Sequence, residues 1–262
     1  MAYTTLDFDL RDGIARITLN RPEAANALNL EMGHELVQAL TTCAAERGLR
    51  VVVLTGAGKA FCAGGDLRSF GAQADGLPAH LREVTTWLHV AVSYMVRMDA
   101  PVIAAVNGVA AGAGMSLACA GDIAIATESA RFTMAYTRAG LSPDGSSTFF
   151  LPRLIGLRRA LDLTLTNRML SAREALDWGL VSQVVPDGEF VARVDALAQE
   201  LSQGPTRALG AAKRLLWTGW NESLETQMAH ESETISQVAK TSDAHEGIAA
   251  FTGKRAPQFR GE

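Results

Sequence analysis

The chain has 262 residues, 48% of them hydrophobic and 20% charged, which fits one large domain, or one with an appendage, and excludes a disordered chain. Basic side chains number 24 against 28 acidic ones, and the net charge of −4 with no basic stripe speaks against nucleic acid or an anionic membrane as main partner. Cys43, Cys62 and Cys119 form no CxxC pair, and the first residues carry no basic-then-apolar export pattern, so reduced thiols in a cytoplasmic protein are expected.

Leu6, Phe8 and Leu10 alternate with polar residues, and Ile14, Ile17 and Leu19 follow the turn signal Asp12-Gly13, which predicts two short strands. Asn29 is placed to cap a helix with Gly33, Leu36, Val37, Leu40 and Ala44 on its apolar face. Val51-Val52-Val53-Leu54 reads as a strand buried on both faces, ending at Gly56. Pro78 opens a helix with Leu81, Val84, Leu88, Val92 and Met95 along one side. The apolar stretch from Ala100 to Gly121 is long enough to span a bilayer, but Pro101, Asn107 and its glycines break it into a strand, a turn and a buried helix. A third buried strand follows at Ile123-Ala124-Ile125-Ala126. This recurrence of strand, glycine loop and helix predicts an α/β fold.

Beyond Ser142 only helices are expected. Ser171 with Glu174 forms a capping box and Gly179 closes that helix. Pro205 starts another, and Asn221 to Lys240 reads as one long helix.

Two glycine loops follow buried strands, at residues 56–67 and 107–117. Neither is a phosphate cradle: Val53 stands where a P-loop needs its first glycine, and Gly112-Ala113-Gly114 lacks the third glycine of a dinucleotide fingerprint. Close packing of helix on strand is the alternative role for such loops.

Their surroundings are more informative. Asn20-Arg21-Pro22 with Asn26-Ala27-Leu28 comes first, followed by Ala60-Phe61-Cys62-Ala63-Gly64-Gly65-Asp66-Leu67. Next come Pro101 through Gly108, Cys119-Ala120-Gly121-Asp122, Leu170-Ser171-Ala172 and Gly179-Leu180-Val181. In this order and over nearly its whole length, the chain resembles the crotonase (enoyl-CoA hydratase/isomerase) superfamily. The resemblance implies a ββα spiral core over 1–200 with the acyl-CoA site. A C-terminal helical region over 201–262 follows, for oligomer packing and closure of the CoA pocket. Homotrimers or dimers of trimers are implied, as is a coenzyme A thioester as substrate; no separate cofactor and no metal are expected.

It also implies that the backbone N–H groups of Gly65 and Ala113 hold the thioester oxygen as it becomes an enolate. Ala113 begins a helix, whose N-terminal partial charge adds to the effect; because the donor is main chain, alanine serves there with φ negative. For CoA binding the pattern points to Ala25, Ala63, Gly64, Asp66 and Leu67. Lys254 is implied as a phosphate partner, reaching from an adjacent subunit, or is simply an exposed lysine.

The family's hydratases use two glutamates, whose positions fall on Ser116 and Tyr136. A hydroxyl and a phenol do not replace a carboxylate pair in acid–base work. Asp144, in Pro143-Asp144-Gly145-Ser146-Ser147, occupies the slot of the aspartate in 1,2-epoxyphenylacetyl-CoA isomerases and 4-chlorobenzoyl-CoA dehalogenases. It is also well placed as a helix cap. His89 falls where the dehalogenases have a histidine, and Tyr136 where they have a tryptophan. The leading expectation is an isomerase working with one aspartate on an enoyl or ring-epoxide thioester. The alternatives are a hydratase with atypical residues, a dehalogenase-like enzyme and a non-catalytic acyl-CoA-binding member. Phe132, Met134, Phe149, Phe150 and Leu151 are read either as core or as acyl-pocket lining, and Trp217 and Trp220 as core or subunit contact.

Overall fold

A hairpin opens the chain, with β1 (Leu6–Arg11) and β2 (Ile14–Leu19) pairing antiparallel across Asp12-Gly13. The structure, a computed structural model, describes residues 3–262. Helix α1 (Leu30–Ala45) follows, its first turn capped by Asn29 Oδ1, which accepts from Met32 N–H at 2.9 Å. Its buried face is Met32, Leu36, Ala39, Leu40 and Cys43. Ala44 is exposed, so the expected face is rotated by one position.

Three ββα turns come next. The first is β3 (Val51–Gly56) and β4 (Ala60–Cys62) with the short α2 (Leu67–Gly71) and the long α3 (Leu77–Arg97). The second is β5 (Val102–Val106), β6 (Val109–Ala111) and α4 (Ala113–Ala120); the third is β7 (Ile123–Thr127), β8 (Arg131–Thr133) and α5 (Ser147–Ile155). Each turn lays one strand in each of two sheets, so that β3, β5 and β7 are parallel neighbours in one, and β4, β6 and β8 in the other. This is the ββα spiral the resemblance implied. Among the described residues no helix is long and apolar enough to cross a membrane, the apolar stretch at 100–121 being β5, β6 and α4.

The continuous apolar runs follow from burial on both faces. Val52, Leu54, Val102 and Ala104 point into the larger core, while Val51, Val53, Ile103 and Ile125 point to the opposite face. There they meet Phe190, Val194 and Leu197 of α8 (Phe190–Ser202).

The stretch after Ser142 is not helical throughout. Between α6 (Leu157–Thr166) and α7 (Ala172–Asp177) lies β9 (Leu170–Ser171), which pairs with β8; β10 (Gln183–Val185) extends the first sheet beside β7. The capping box is present, with Ser171 Oγ accepting from Glu174 N–H and Glu174 Oε2 from Ser171 N–H. The C-terminal region is α9 (Thr206–Gly219), α10 (Leu224–Val238) and α11 (Ser242–Thr252). The long helix expected from Asn221 to Lys240 is shorter at both ends, because Ser223 caps α10 and Thr241 caps α11. Lys213 fastens α9 to the spiral: its buried ammonium donates to Met95 O, Ala100 O and Asp122 Oδ2. Burial pulls the Lys213 ammonium below its ordinary pKa and pushes the Asp122 carboxyl up, their mutual attraction opposing both.

Candidate active site

The site forms where β4 and β6 end. They are parallel neighbours, so their C-terminal loops emerge side by side, as ligand-binding loops do in parallel sheets. One loop carries Gly64-Gly65, the other Gly112-Ala113. Gly65 bridges Leu28: Leu28 N–H donates to Gly64 O at 2.7 Å and Asp66 N–H to Leu28 O at 2.8 Å, which turns the N–H of Gly65 away from that pairing. Ala113 opens α4, where helix geometry leaves its N–H without an internal acceptor. The positive φ of 49° falls on Gly112, and Ala113 itself is not in the positive-φ region. Among the described residues neither N–H has a hydrogen-bond acceptor, and both residues line one cavity of about 250 Å³.

The walls of that cavity are largely apolar: Leu28, Phe70, Leu81, Val84, Ala135 and Leu141, with Arg82, Thr85 and Ser142 adding polar groups. Tyr136 and Asp144 also face it. The phenol O–H of Tyr136 donates to Asp144 Oδ1 at 2.5 Å. Behind them Ser116, with no exposed surface, places its Oγ 3.0 Å from Tyr136 Oη and 3.0 Å from the main-chain oxygen of Asp144. His89, exposed on α3, accepts the Gly145 N–H on Nε2 at 3.3 Å.

Burial drives the Asp144 carboxyl above its ordinary pKa; the Tyr136 hydrogen bond and the charge of His89 oppose that shift. Tyr136 is pushed well above the ordinary phenol value, first by burial and then by the Asp144 charge. Asp144 does not cap α5. The cap position is Ser146, and the Asp144 side chain turns to Tyr136 while its main-chain oxygen accepts from Ser147 N–H at 3.1 Å. The carboxylate is thereby available for chemistry.

Of the residues expected around CoA, Ala63, Gly64 and Leu67 line the cavity. Ala25 lies behind it, its oxygen accepting from Ala63 N–H at 3.0 Å. Asp66 does not line it either. Its carboxylate caps α2 through Arg68 and Ser69 N–H and pairs with Arg21 at 2.9 Å. Burial raises its pKa, but the Arg21 and backbone hydrogen bonds outweigh that and the net shift is down. Lys254 is exposed just beyond α11 and does not line the cavity. Among the described residues no cluster of His, Cys, Asp or Glu has the arrangement of a metal site, and the three cysteines are free and buried.

Phe132, Met134, Phe150 and Leu151 pack in the core instead of lining the cavity, and Phe149 meets Phe150 edge-on and Trp217 at a tilt. Trp220, by contrast, is exposed. The cavity wall away from the two glycine loops comes instead from Leu81, Arg82, Val84 and Thr85 on α3, together with Leu141. The apolar stripe of α3 was the available signal, but its cavity-facing turn reads the same as its core-facing turns.

Over residues 9–262 the chain matches the family model described as enoyl-CoA hydratase/isomerase. It is 42% identical to a Rhodobacter capsulatus protein named "Probable enoyl-CoA hydratase", with both chains fully covered. It is 40% identical to the 1,2-epoxyphenylacetyl-CoA isomerase of Escherichia coli, over 95% of this chain and 96% of the relative. The crystal structure of an enoyl-CoA hydratase from Bacillus anthracis superposes with a TM-score of 0.92 at 36% identity, covering 99% of this chain and 100% of the other. By fold, loop geometry and sequence, this chain belongs to the enoyl-CoA hydratase/isomerase family of the crotonase superfamily.

Proposed function

We propose that the protein is an acyl-CoA isomerase in which Asp144 carries a proton between two carbons of an enolised thioester. The observation that carries this reading is that, among the described residues, one half-buried carboxylate faces an apolar cavity beside two unpartnered backbone N–H groups. The thioester oxygen sits between Gly65 N–H and Ala113 N–H, which stabilise negative charge as it develops. Asp144 Oδ2 removes the proton from C2 of a 3-enoyl thioester. The C2–H electrons form C1=C2 while the C=O pair moves onto the oxygen; on return the oxygen pair remakes C=O, the C1=C2 pair becomes C2=C3, and the C3=C4 pair takes the proton back from the same carboxyl at C4. Nothing is gained or lost overall, so no cofactor is needed. A carboxyl raised by burial suits both steps, as a stronger base first and as a ready acid second.

Hydration needs a second acid–base group to hold the water. The two positions where the family's hydratases carry glutamates are here Ser116 and Tyr136; Tyr136 hydrogen-bonds to Asp144 instead, with Ser116 Oγ 3.0 Å behind it. Coenzyme A enters along Ala63, Gly64 and Leu67. Lys254, outside its own cavity, serves the CoA phosphates of a neighbouring copy in a homotrimer or dimer of trimers. Exposed apolar side chains on the C-terminal helices, such as Leu224, Met228, Ile235 and Phe251, suit such packing.

A second reading rests on His89 beside Gly145 and on the 4-chlorobenzoyl coenzyme A dehalogenase-2 of Arthrobacter, 35% identical over 93% of this chain and 88% of its own. In it Asp144 attacks an aryl carbon, chloride leaves, and water hydrolyses the aryl ester. Isomerisation is preferred because His89 does not line the cavity, its Nε2 lying 3.3 Å from Gly145 N.

The experiment follows absorbance of the conjugated thioester after adding 3-enoyl-CoA to wild type and Asp144→Asn, with 2-enoyl-CoA and 4-chlorobenzoyl-CoA in parallel. Conjugation that appears with wild type and disappears in the variant is expected. Loss of conjugation from 2-enoyl-CoA would make the enzyme a hydratase, and chloride release would establish the second reading.

A further inference from the structure

We infer that Ser116 is a positioning residue: its hydroxyl donates to the phenol oxygen of Tyr136 and steadies the phenol that holds Oδ1 of Asp144, so that Oδ2 alone is offered to the acyl group. The inference rests on Asp144 being the base. Tyr136 O–H donates to Asp144 Oδ1 at 2.5 Å, which leaves its oxygen free to accept. Ser116 Oγ lies 3.0 Å from that oxygen, 3.0 Å from Asp144 O and 3.3 Å from Gly112 O. With the Tyr136 proton on Oδ1, the single proton of the fully buried Ser116 hydroxyl is the one that can join the two oxygens, and Asp144 O and Gly112 O are competing acceptors packed around it. Asp144 Oδ2 has no hydrogen-bond partner among the described residues. A carboxylate anchored on one oxygen loses little rotational freedom when the substrate arrives, and its free oxygen stays aimed.

Removing the Ser116 hydroxyl loosens the phenol and weakens its hydrogen bond to Oδ1. That bond favours the ionised carboxylate, so Asp144 should titrate at higher pH without it. The other charged groups facing this carboxylate are His89 and, across the cavity, Arg82, both on α3 and both unchanged in the variants below.

The test is a 13C NMR titration of protein labelled at the aspartate carboxyls, the Asp144 signal being the one lost in Asp144→Asn. It is read for wild type, Ser116→Ala, Tyr136→Phe and the double variant. The Asp144 midpoint should rise by about one pH unit in Tyr136→Phe, tenfold in ionised fraction below the midpoint. It should rise by a smaller step in Ser116→Ala, and no further in the double variant than in Tyr136→Phe. The acid limb of kcat/KM should move with it while KM stays constant, a pattern that loss of folded protein does not produce. Should Ser116→Ala fold poorly, Ser116→Cys keeps nearly the same shape with a weak donor and should shift the midpoint the same way. A midpoint in either Ser116 variant equal to wild type overturns the inference. The titration needs no turnover, so it stands even if 3-enoyl-CoA is not converted.

Discussion

Gly64 and Gly112 meet where the two donor loops cross: a Cβ on Gly112 would lie 3.3 Å from Gly64 Cα, and one on Gly64 would lie 3.2 Å from Ala111 O. The contact sets how close the N–H groups of the next residues, Gly65 and Ala113, can come. Gly112 also sits at φ 49° and ψ −120°, a conformation no L side chain adopts comfortably.

Gly112→Ala should therefore cost turnover more than binding. The backbone strain is about 1–3 kcal/mol, and relief comes most easily by turning the Ala113 N–H out of line. Losing one of two oxyanion donors lowers kcat by about 10²–10³. The dissociation constant of an unreactive acyl-CoA should change by less than about tenfold, since the ground-state carbonyl depends less on that donor. Wild-type kcat in Gly112→Ala would mean that Ala113 is not a donor.

The half-buried carboxyl of Asp144 bears on stability as well as on the proposed chemistry. Its folded pKa is raised above the ordinary 3.8, chiefly by burial, so the folded state binds its proton more tightly than the unfolded chain does. Its contribution to stability is fully present below the unfolded value and is lost as pH rises through the folded one. At neutral pH the carboxylate is thus a liability that an amide does not carry. Asp144→Asn should melt at higher temperature than wild type at pH 7.5, with the difference closing near pH 4, while turnover falls by about 10²–10⁴. Thermal unfolding at the two pH values checks this. A lower neutral-pH Tm in the variant would mean that Tyr136 and His89 outweigh burial.

What the sequence made legible follows from periodicity. The apolar runs of β3, β5 and β7 are visible because both faces are buried, and the Asn29 and Ser171 caps because their chemistry is local. β9 and β10 were not visible: two or three half-buried residues carry no period, and only their partners β8 and β7 make them strands. Asp144 looked equally like a cap because Pro-Asp-Gly-Ser-Ser fits that role locally. Its phenol partner lies eight residues upstream, and only the folded loop brings the two together. The α3 wall of the cavity was hidden for a related reason. Leu81 and Val84 fall on the same helical stripe as the core residues Leu88 and Met95, and which turns face a cavity depends on the loop at 139–144 laid opposite them.

Restoring glutamates at 116 and 136 should not restore a hydratase. A Cβ on Gly145 would lie 2.7 Å from Ser116 Cβ, so the backbone of that loop already occupies the room a longer side chain at 116 would need. A carboxylate forced there is buried beside Asp144, facing the oxygens of Gly112 and Asp144 and a Tyr136 hydroxyl whose proton is already given to Asp144. An uncompensated buried charge costs about 3–5 kcal/mol, and like charges at this distance do not ionise together. Ser116→Glu, alone or with Tyr136→Glu, should lower the urea midpoint and leave 2-enoyl-CoA absorbance unchanged. Hydration by the double variant at a measurable rate would mean that the loop carrying Asp144 and Gly145 gives way readily, and that the family's two chemistries differ here by two side chains alone.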